Sequence, residues 1–220
     1  MRKINVAVDG TSGVGKSSVS DRLAARNGMI HLDTGAMYRC VALYLKRHDV
    51  DLEDETALSA ALKDISIRFE GKTVLLNGED VSTAIRTNDI SNFTSRVSAI
   101  PAVRAVMTDL QRETVRDKGF IVDGRDICTV VLPQAEVKIF LSAKPEARAR
   151  RRYDEYMTKG ISADYDTILE DIKARDWQDS HRSTAPLVKA ADALEIDTSD
   201  LTIEQVEAAI QAQIDSALTK

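Results

Sequence analysis

Eight consecutive residues, Gly10-Thr11-Ser12-Gly13-Val14-Gly15-Lys16-Ser17, limit what this chain can fold into more than any other segment. They follow the phosphate-loop pattern of a glycine, four free positions and Gly-Lys-Ser. Their flanks agree with it. Residues 4–9 before them are short, β-branched and apolar, as a buried parallel strand is. Residues 18–27 after them place Val19 and Leu23 at helical spacing and stop at Asn27-Gly28, a good C-terminal cap. Strand, glycine-rich turn and helix together suit a nucleotide polyphosphate. The glycines let backbone N–H groups wrap the phosphates, and the helix N-terminus adds the positive end of its dipole. Lys16 is expected to bridge the β- and γ-phosphates of ATP. The Ser17 hydroxyl is expected to ligate Mg²⁺, with Ser18 closing the loop.

A chain of 220 residues suits one α/β domain over 1–220 with insertions. Apolar residues are 43% and charged ones 30%, without low-complexity segments, which excludes a disordered chain. The apolar runs are too short to cross a bilayer, and the N-terminus enters a strand without the apolar core of a signal peptide. Cys40 and Cys128 are well separated and lack metal-type spacing, as free thiols in a reducing compartment do. A net charge of −5 argues against general nucleic-acid affinity. A cytoplasmic monomer with neither membrane nor nucleic-acid partner is therefore expected.

Strand-like runs alternate with helical ones, which predicts a five-stranded parallel sheet covered on both faces: a three-layer sandwich. The strands after the first are expected at 29–33, 119–123, 137–141 and 193–197. Helices are expected after the second strand (Met37, Val41, Leu45), over 98–118 on a face of Val103, Val106, Met107 and Leu110, and at the C-terminus from a capping box of Thr202 and Gln205. One stretch breaks the alternation. Residues 65–69 and 73–76 around Glu70-Gly71-Lys72, with a further turn at Asn77-Gly78, read as a β-hairpin inserted over about 64–86.

In open α/β sheets ligands bind outside the carboxyl ends of the strands. The segments there are Asp33-Thr34-Gly35 with Tyr38-Arg39, and Asp123-Gly124-Arg125-Asp126. A switch-type GTPase needs Asp-x-x-Gly and Asn-Lys-x-Asp segments, and the chain has neither. The arginines point to a transferase instead. Arg148, Arg150, Arg151 and Arg152 follow the fourth strand on a helix ending near Lys159-Gly160. A second helix, about 165–182, carries Arg175, Asp179 and Arg182 on one face. The first set, over about 148–166, reads as a short lid that closes over the γ-phosphate, its 148–160 stretch charge-rich and without the apolar contacts to hold it against the core alone, with Arg151 and Arg152 as ATP contacts.

The chain resembles bacterial cytidylate kinases over nearly its full length. The matching segments are 10–18, Asp33-Thr-Gly-Ala-Met-Tyr-Arg39, Ile85-Arg-Thr87, Thr94-Ser95-Arg96-Val97, Pro101-Ala-Val-Arg104, Asp123-Gly-Arg-Asp126 with Thr129-Val-Val131, Val137-Lys-Ile-Phe-Leu141, and Arg175-Asp176 with Arg182 before Ala185-Pro-Leu187. The resemblance implies a phosphate-loop fold whose β insertion belongs to the monophosphate-binding region. It also implies transfer of the γ-phosphate of ATP to CMP or dCMP. It makes Arg39, Arg125 and Arg182 contacts to the acceptor's phosphate. Ser95, Arg104 and Asp126 become the readers of cytosine, Arg175 and Asp179 the ribose-side pair, and Thr34 a substrate contact. Departures are Ser17-Ser18 where relatives carry Gly-Thr, Thr34 where serine is common, and Gln178 at a position that can be arginine.

Residue chemistry agrees with that implication. Cytosine offers an amino donor beside ring acceptors, which an aspartate and an arginine complement, while uracil inverts the pattern. The nucleophile is a phosphate oxygen already ionised at neutral pH, so no general base is required. His31, His48 and His181 then read as a strand residue, a loop residue and an exposed helix residue. Two other readings stay open: another small phosphate-loop kinase acting on UMP, AMP, dTMP or shikimate, and a nucleotide-dependent switch.

Overall fold

A computed structural model describes residues 2–219. The chain forms two compact units, one comprising residues up to Leu32 together with those from Thr114 onward, the other Asp33–Glu113.

The first unit is built on a five-stranded sheet. Its strands are β1 (Val6–Gly10), β2 (Ile30–Asp33), β6 (Phe120–Gly124), β7 (Val137–Ser142) and β8 (Leu194–Asp197), in the order β2-β6-β1-β7-β8. β1 pairs in parallel with β6 and with β7, and β7 with β8. Every residue of β1 is buried, as a central parallel strand covered on both faces must be. Helices α1 (Lys16–Asn27) and α8 (Ile203–Leu218) cover one face. Val19 and Leu23 of α1 and Val206, Ile210 and Ile214 of α8 share a cluster with Val6, Val8, Ile121, Ile139 and Leu141. Each such aliphatic side chain contributes about 1.5–3 kcal/mol by leaving water. The capping box predicted at Thr202 and Gln205 is present in both its bonds.

Register decides what reaches the sheet edge. Val8 lies opposite Asp123 and Asp9 opposite Gly124, so the loop after β1 and the segment after β6 emerge side by side. Gly10 has no alternative residue there: a Cβ would lie 2.1 Å from the Leu141 carbonyl oxygen of β7. After β6 the chain makes one wide turn, Ile127–Val131, with i→i+5 bonds such as Leu132 N–H to the Ile127 carbonyl at 2.7 Å. The Asp9 carboxylate anchors this turn by accepting from the Ile127 and Cys128 N–H groups at 2.9 and 2.7 Å.

Two further helices, α6 (Pro145–Thr158) and α7 (Tyr165–His181), pack on each other around Ala149, Ile168 and Ile172, with Tyr153, Tyr156 and Leu169 against them. The 148–160 stretch, expected to lack apolar contacts to the core, thus shares a small cluster with α7, separate from that of the sheet. Sequence reading missed it because the partners of Ala149 and Tyr153 lie in the following helix.

The second unit contains α2 (Thr34–Arg47), α3 (Glu55–Lys63), the antiparallel strands β3 (Ile67–Glu70), β4 (Thr73–Leu76) and β5 (Glu79–Asp80), α4 (Asn88–Val97) and most of α5 (Pro101–Thr114). The predicted hairpin is present and gains a third short strand. Asp33 caps α2 by accepting from Ala36 N–H at 2.9 Å, so Thr34 and Gly35 begin the helix and do not form a loop before it. On α5 one expectation fails. Val106 is 43% exposed, while Val103, Arg104, Met107, Thr108 and Gln111 form the buried face. Three polar side chains on that face turn the stripe away from the one the apolar residues alone define.

Candidate active site

The phosphate loop is shaped for an anion. Gly15, at φ +92°, occupies the left-handed region and caps α1 without a side-chain acceptor among the described residues, so the first N–H groups of the helix stay directed outward. The Thr11 hydroxyl is buried and lacks a hydrogen-bond partner among the described residues. Lys16 Nζ, on a side chain 7% exposed by residue, donates to the Gly10 and Thr11 carbonyls at 2.8 and 2.7 Å. Burial, then the neighbouring Arg125, pulls the Lys16 amine well below its ordinary value, against Asp123, Asp9 and Asp179. A buried ammonium folded back on the loop's own carbonyls, beside uncapped N–H groups, is a cradle that a polyphosphate fits.

Beside it stands a carboxylate that the sequence places at the ligand edge without giving it a role. Asp123, at the end of β6, accepts the Ser17 hydroxyl through Oδ2 at 2.7 Å. Its Oδ1 lies 3.1 Å from His31 Nε2, and His31 Nδ1 lies 2.6 Å from Asp21 Oδ1 of α1. Burial works to raise the Asp123 carboxyl, but His31, Lys16 and Ser17 outweigh it and hold the group below its usual range. A serine hydroxyl and an ionised aspartate beside a phosphate cradle are the hard oxygen donors Mg²⁺ prefers, with the remaining positions left to phosphate and water. No group of three or more His, Cys, Asp or Glu residues able to hold a metal occurs among the described residues, so any Mg²⁺ would depend on the nucleotide for further ligands. The signal for Asp123 was an acid ending a buried strand next to the loop. His31 is a strand residue as expected, yet it is tied into this carboxylate.

The arginines of the first unit come as charge pairs. Arg125 Nε donates to Asp179 Oδ2 at 2.9 Å, and Arg182 Nη2 lies 3.7 Å from Asp126 Oδ1. Asp126 is 4% exposed. Burial pushes the Asp179 carboxyl up, but Arg125, Arg175 and Arg182 together keep it below its ordinary value. Thus Arg125, Asp126, Arg175, Asp179 and Arg182 lie together at the edge where β6 ends. Arg148 differs from expectation. It is 2% exposed, and its guanidinium grips Asp176 in a bidentate pair at 2.9 and 2.5 Å and donates to the Ser12 carbonyl at 3.1 Å. It braces the phosphate loop instead of sweeping over it. Arg151 donates to the Thr198 and Ser199 carbonyls after β8, Arg150 lies over the rings of Tyr153 and Tyr165, and Arg152 is half-buried on α6.

In the second unit Thr34 is the buried first residue of α2, and Arg39 is half-buried one turn further on. Arg104, 4% exposed on α5, donates to the Ser98 carbonyl at 3.1 Å, with its guanidinium 5.5 Å from the Tyr38 ring centroid. Ser95 on α4 donates to the Ser91 carbonyl at 3.5 Å. His48 and His181 stack on Tyr44 and Trp177. No helix among the described residues is long and apolar enough to cross a membrane.

Comparison with known proteins agrees with this chemistry. The family model described as cytidylate kinase matches residues 6–216. A cytidylate kinase from Syntrophotalea carbinolica is 50% identical over 209 residues, covering 93% of this chain and 89% of that protein. One from Bacillus licheniformis is 45% identical over 224 residues, covering 100% and 99%. Among solved structures, a shikimate kinase from Bacteroides thetaiotaomicron superposes with a TM-score of 0.51 at 12% identity, covering 97% of this chain and 99% of that one. That likeness concerns the fold alone. A full-length family match, a phosphate loop and an arginine-rich sheet edge make the chain a member of the cytidylate kinase family.

Proposed function

We propose that the protein transfers the γ-phosphate of ATP to CMP or dCMP, giving ADP with CDP or dCDP. The observation that carries this reading is the sheet edge at Asp9–Gly10 and Asp123–Asp126. There a backbone cradle with a buried lysine stands beside a row of arginines that are already paired. One part suits the donor's polyphosphate and the other a second anion, and a hydrolase or switch needs only the first.

The chain's residues work by placement and charge. The loop N–H groups of 10–18 and Lys16 hold the donor phosphates, and Lys16 stabilises charge on the transferring group. Ser17 with Asp123 would hold Mg²⁺, which supplies charge neutralisation on the phosphate oxygens when bound. Arg39, Arg125 and Arg182 orient the acceptor phosphate for in-line attack, and Arg175 and Asp179 take the ribose. Ser95, Arg104 and Asp126 read cytosine, with Asp126 accepting from the amino group and Arg104 donating to the ring acceptors. Thr34 supports the acceptor. The 148–166 region, with Arg151 and Arg152, limits water at the γ-phosphate. The acceptor oxygen is largely ionised at neutral pH, the second phosphate pKa being about 6, so none of the three histidines is needed as a base.

ADP release measured across CMP, dCMP, UMP, AMP, dTMP and shikimate tests the reading. Fastest turnover with CMP or dCMP is expected. Equal or faster turnover of AMP, dTMP or shikimate overturns it, as does ATP cleavage at the same rate without an acceptor.

A further inference from the structure

The sequence offers His31 as an ordinary strand residue, and the proposed chemistry gives it no step. Its surroundings are not ordinary. The side chain is 10% exposed, with Nε2 3.1 Å from Asp123 Oδ1 and Nδ1 2.6 Å from Asp21 Oδ1. Asp123 is itself 4% exposed and directs its other oxygen to the Ser17 hydroxyl at 2.7 Å. The chain Asp21–His31–Asp123–Ser17 therefore runs from the solvent side of α1, where Asp21 is 56% exposed, to the side chains suited to the cation. A carboxylate on a single bond turns freely unless both oxygens are occupied. Here one oxygen is engaged by the ring and the other faces the serine.

We propose that His31 is a positioning residue for the cation-binding carboxylate: by engaging Oδ1 of Asp123 it fixes the carboxylate plane so that Oδ2 stays directed at Ser17. This rests on the reading of Ser17 and Asp123 as the Mg²⁺ ligands. Partners that orient a metal ligand in this way carry weight, and their loss typically costs about 10–100-fold in metal affinity. Asp21 in turn holds the far nitrogen, so the ring's orientation is set from both ends. Lys16, Ser17 and Asp21 of the loop and α1, together with Asp123 of β6, are among the charged and polar groups that act on the ring or on the carboxylate it orients.

The test compares His31→Leu, which fills the space without a donor, with His31→Gln, whose amide nitrogen matches the position of Nε2. ADP affinity is measured by calorimetry with and without Mg²⁺, so that the readout is the gain Mg²⁺ confers and not turnover. Melting temperature is recorded alongside. In the wild type Mg²⁺ should tighten ADP binding. In His31→Leu that gain should shrink about tenfold at unchanged affinity for ADP alone, and in His31→Gln it should return to within about threefold of wild type. A gain in His31→Leu equal to the wild type's, or a loss in His31→Gln as large as in His31→Leu, overturns the inference while leaving the phosphate-site reading intact. No gain in the wild type overturns both. Should His31→Leu not fold, His31→Ala, which also lacks a donor, takes its place under the same outcomes.

Discussion

The phosphate loop and the arginine row of the same unit hold negative charge by different means. The loop uses backbone: uncapped N–H groups at the start of α1, a left-handed Gly15, and a lysine that rests on the loop's own carbonyls. The row uses side chains that the protein has already neutralised, Arg125 on Asp179, Arg182 beside Asp126 and Arg148 on Asp176. A backbone cradle is formed before its ligand arrives. On the proposed function, a paired arginine trades its carboxylate for a phosphate or shares itself between them. The loop is thus built for binding and charge stabilisation at little cost to the fold, whereas the row is also part of what holds the unit together.

Replacing the loop lysine separates the two most sharply. Lys16→Ala should lower kcat by about 10²–10³-fold, the usual cost of a lost donor to developing charge. Its melting temperature should stay level or rise, because burial already disfavours the ammonium in the folded state. Steady-state kinetics with thermal melts check both halves, and near-normal turnover would remove Lys16 from the site.

Asp179→Asn should show the opposite balance. It leaves Arg125 without its charged partner at a site where the two side chains are 20% and 12% exposed. About 1–3 kcal/mol of stability should be lost at neutral pH. The carboxyl's folded pKa lies below its usual 3.8, so its contribution is present above that value and fades as pH falls through the folded pKa. The wild type should therefore lose its advantage over Asp179→Asn only in acid below about pH 4. Denaturant melts from pH 3 to 7 read this directly, and equal stability throughout would break the contrast with the loop.

Asp9, which anchors the turn after Asp126, should show the opposite pH dependence and leave turnover least affected. Burial raises its carboxyl from 3.8 to about 6, against the Ile127 and Cys128 N–H groups. Its contribution to stability is full below 3.8 and is lost as pH rises through 6. Relative to Asp9→Asn, the wild type should weaken between about pH 4 and 6, by up to about 3 kcal/mol for a shift of that size. A difference that rises with pH would show that the N–H groups outweigh burial.

What the sequence reveals follows the same division. The loop is eight contiguous residues with a fixed spacing, and the central strands are uninterrupted apolar runs, so both can be read along the chain. The hairpin at Gly71 and the end of α6 at Lys159-Gly160 are signalled by turn residues. The charge pairs are not legible, because Arg148 and Asp176 are 28 residues apart and Arg125 and Asp179 are 54. The same distance hides the partners of Asp123 and His31, and the apolar cluster shared by α6 and α7. On α5 the apolar residues alone mislead, since Arg104, Thr108 and Gln111 are buried and Val106 is not. Polar residues enter a buried face where they have partners, and partners are a property of the fold.

The reading of cytosine proposed for Asp126 stands or falls on the ratio of CMP to UMP turnover in one variant. In Asp126→Asn the amide keeps the shape of the side chain, 4% exposed beside Arg182, and removes its charge. CMP should lose a charge-assisted hydrogen bond, so its kcat/KM at saturating ATP should fall at least about tenfold. UMP should be affected far less, because the amide can donate to its carbonyl, and the CMP/UMP ratio should narrow from the CMP side. An unchanged ratio, with both acceptors slowed alike, would contradict base reading by Asp126 and assign it to the geometry of Arg182 alone.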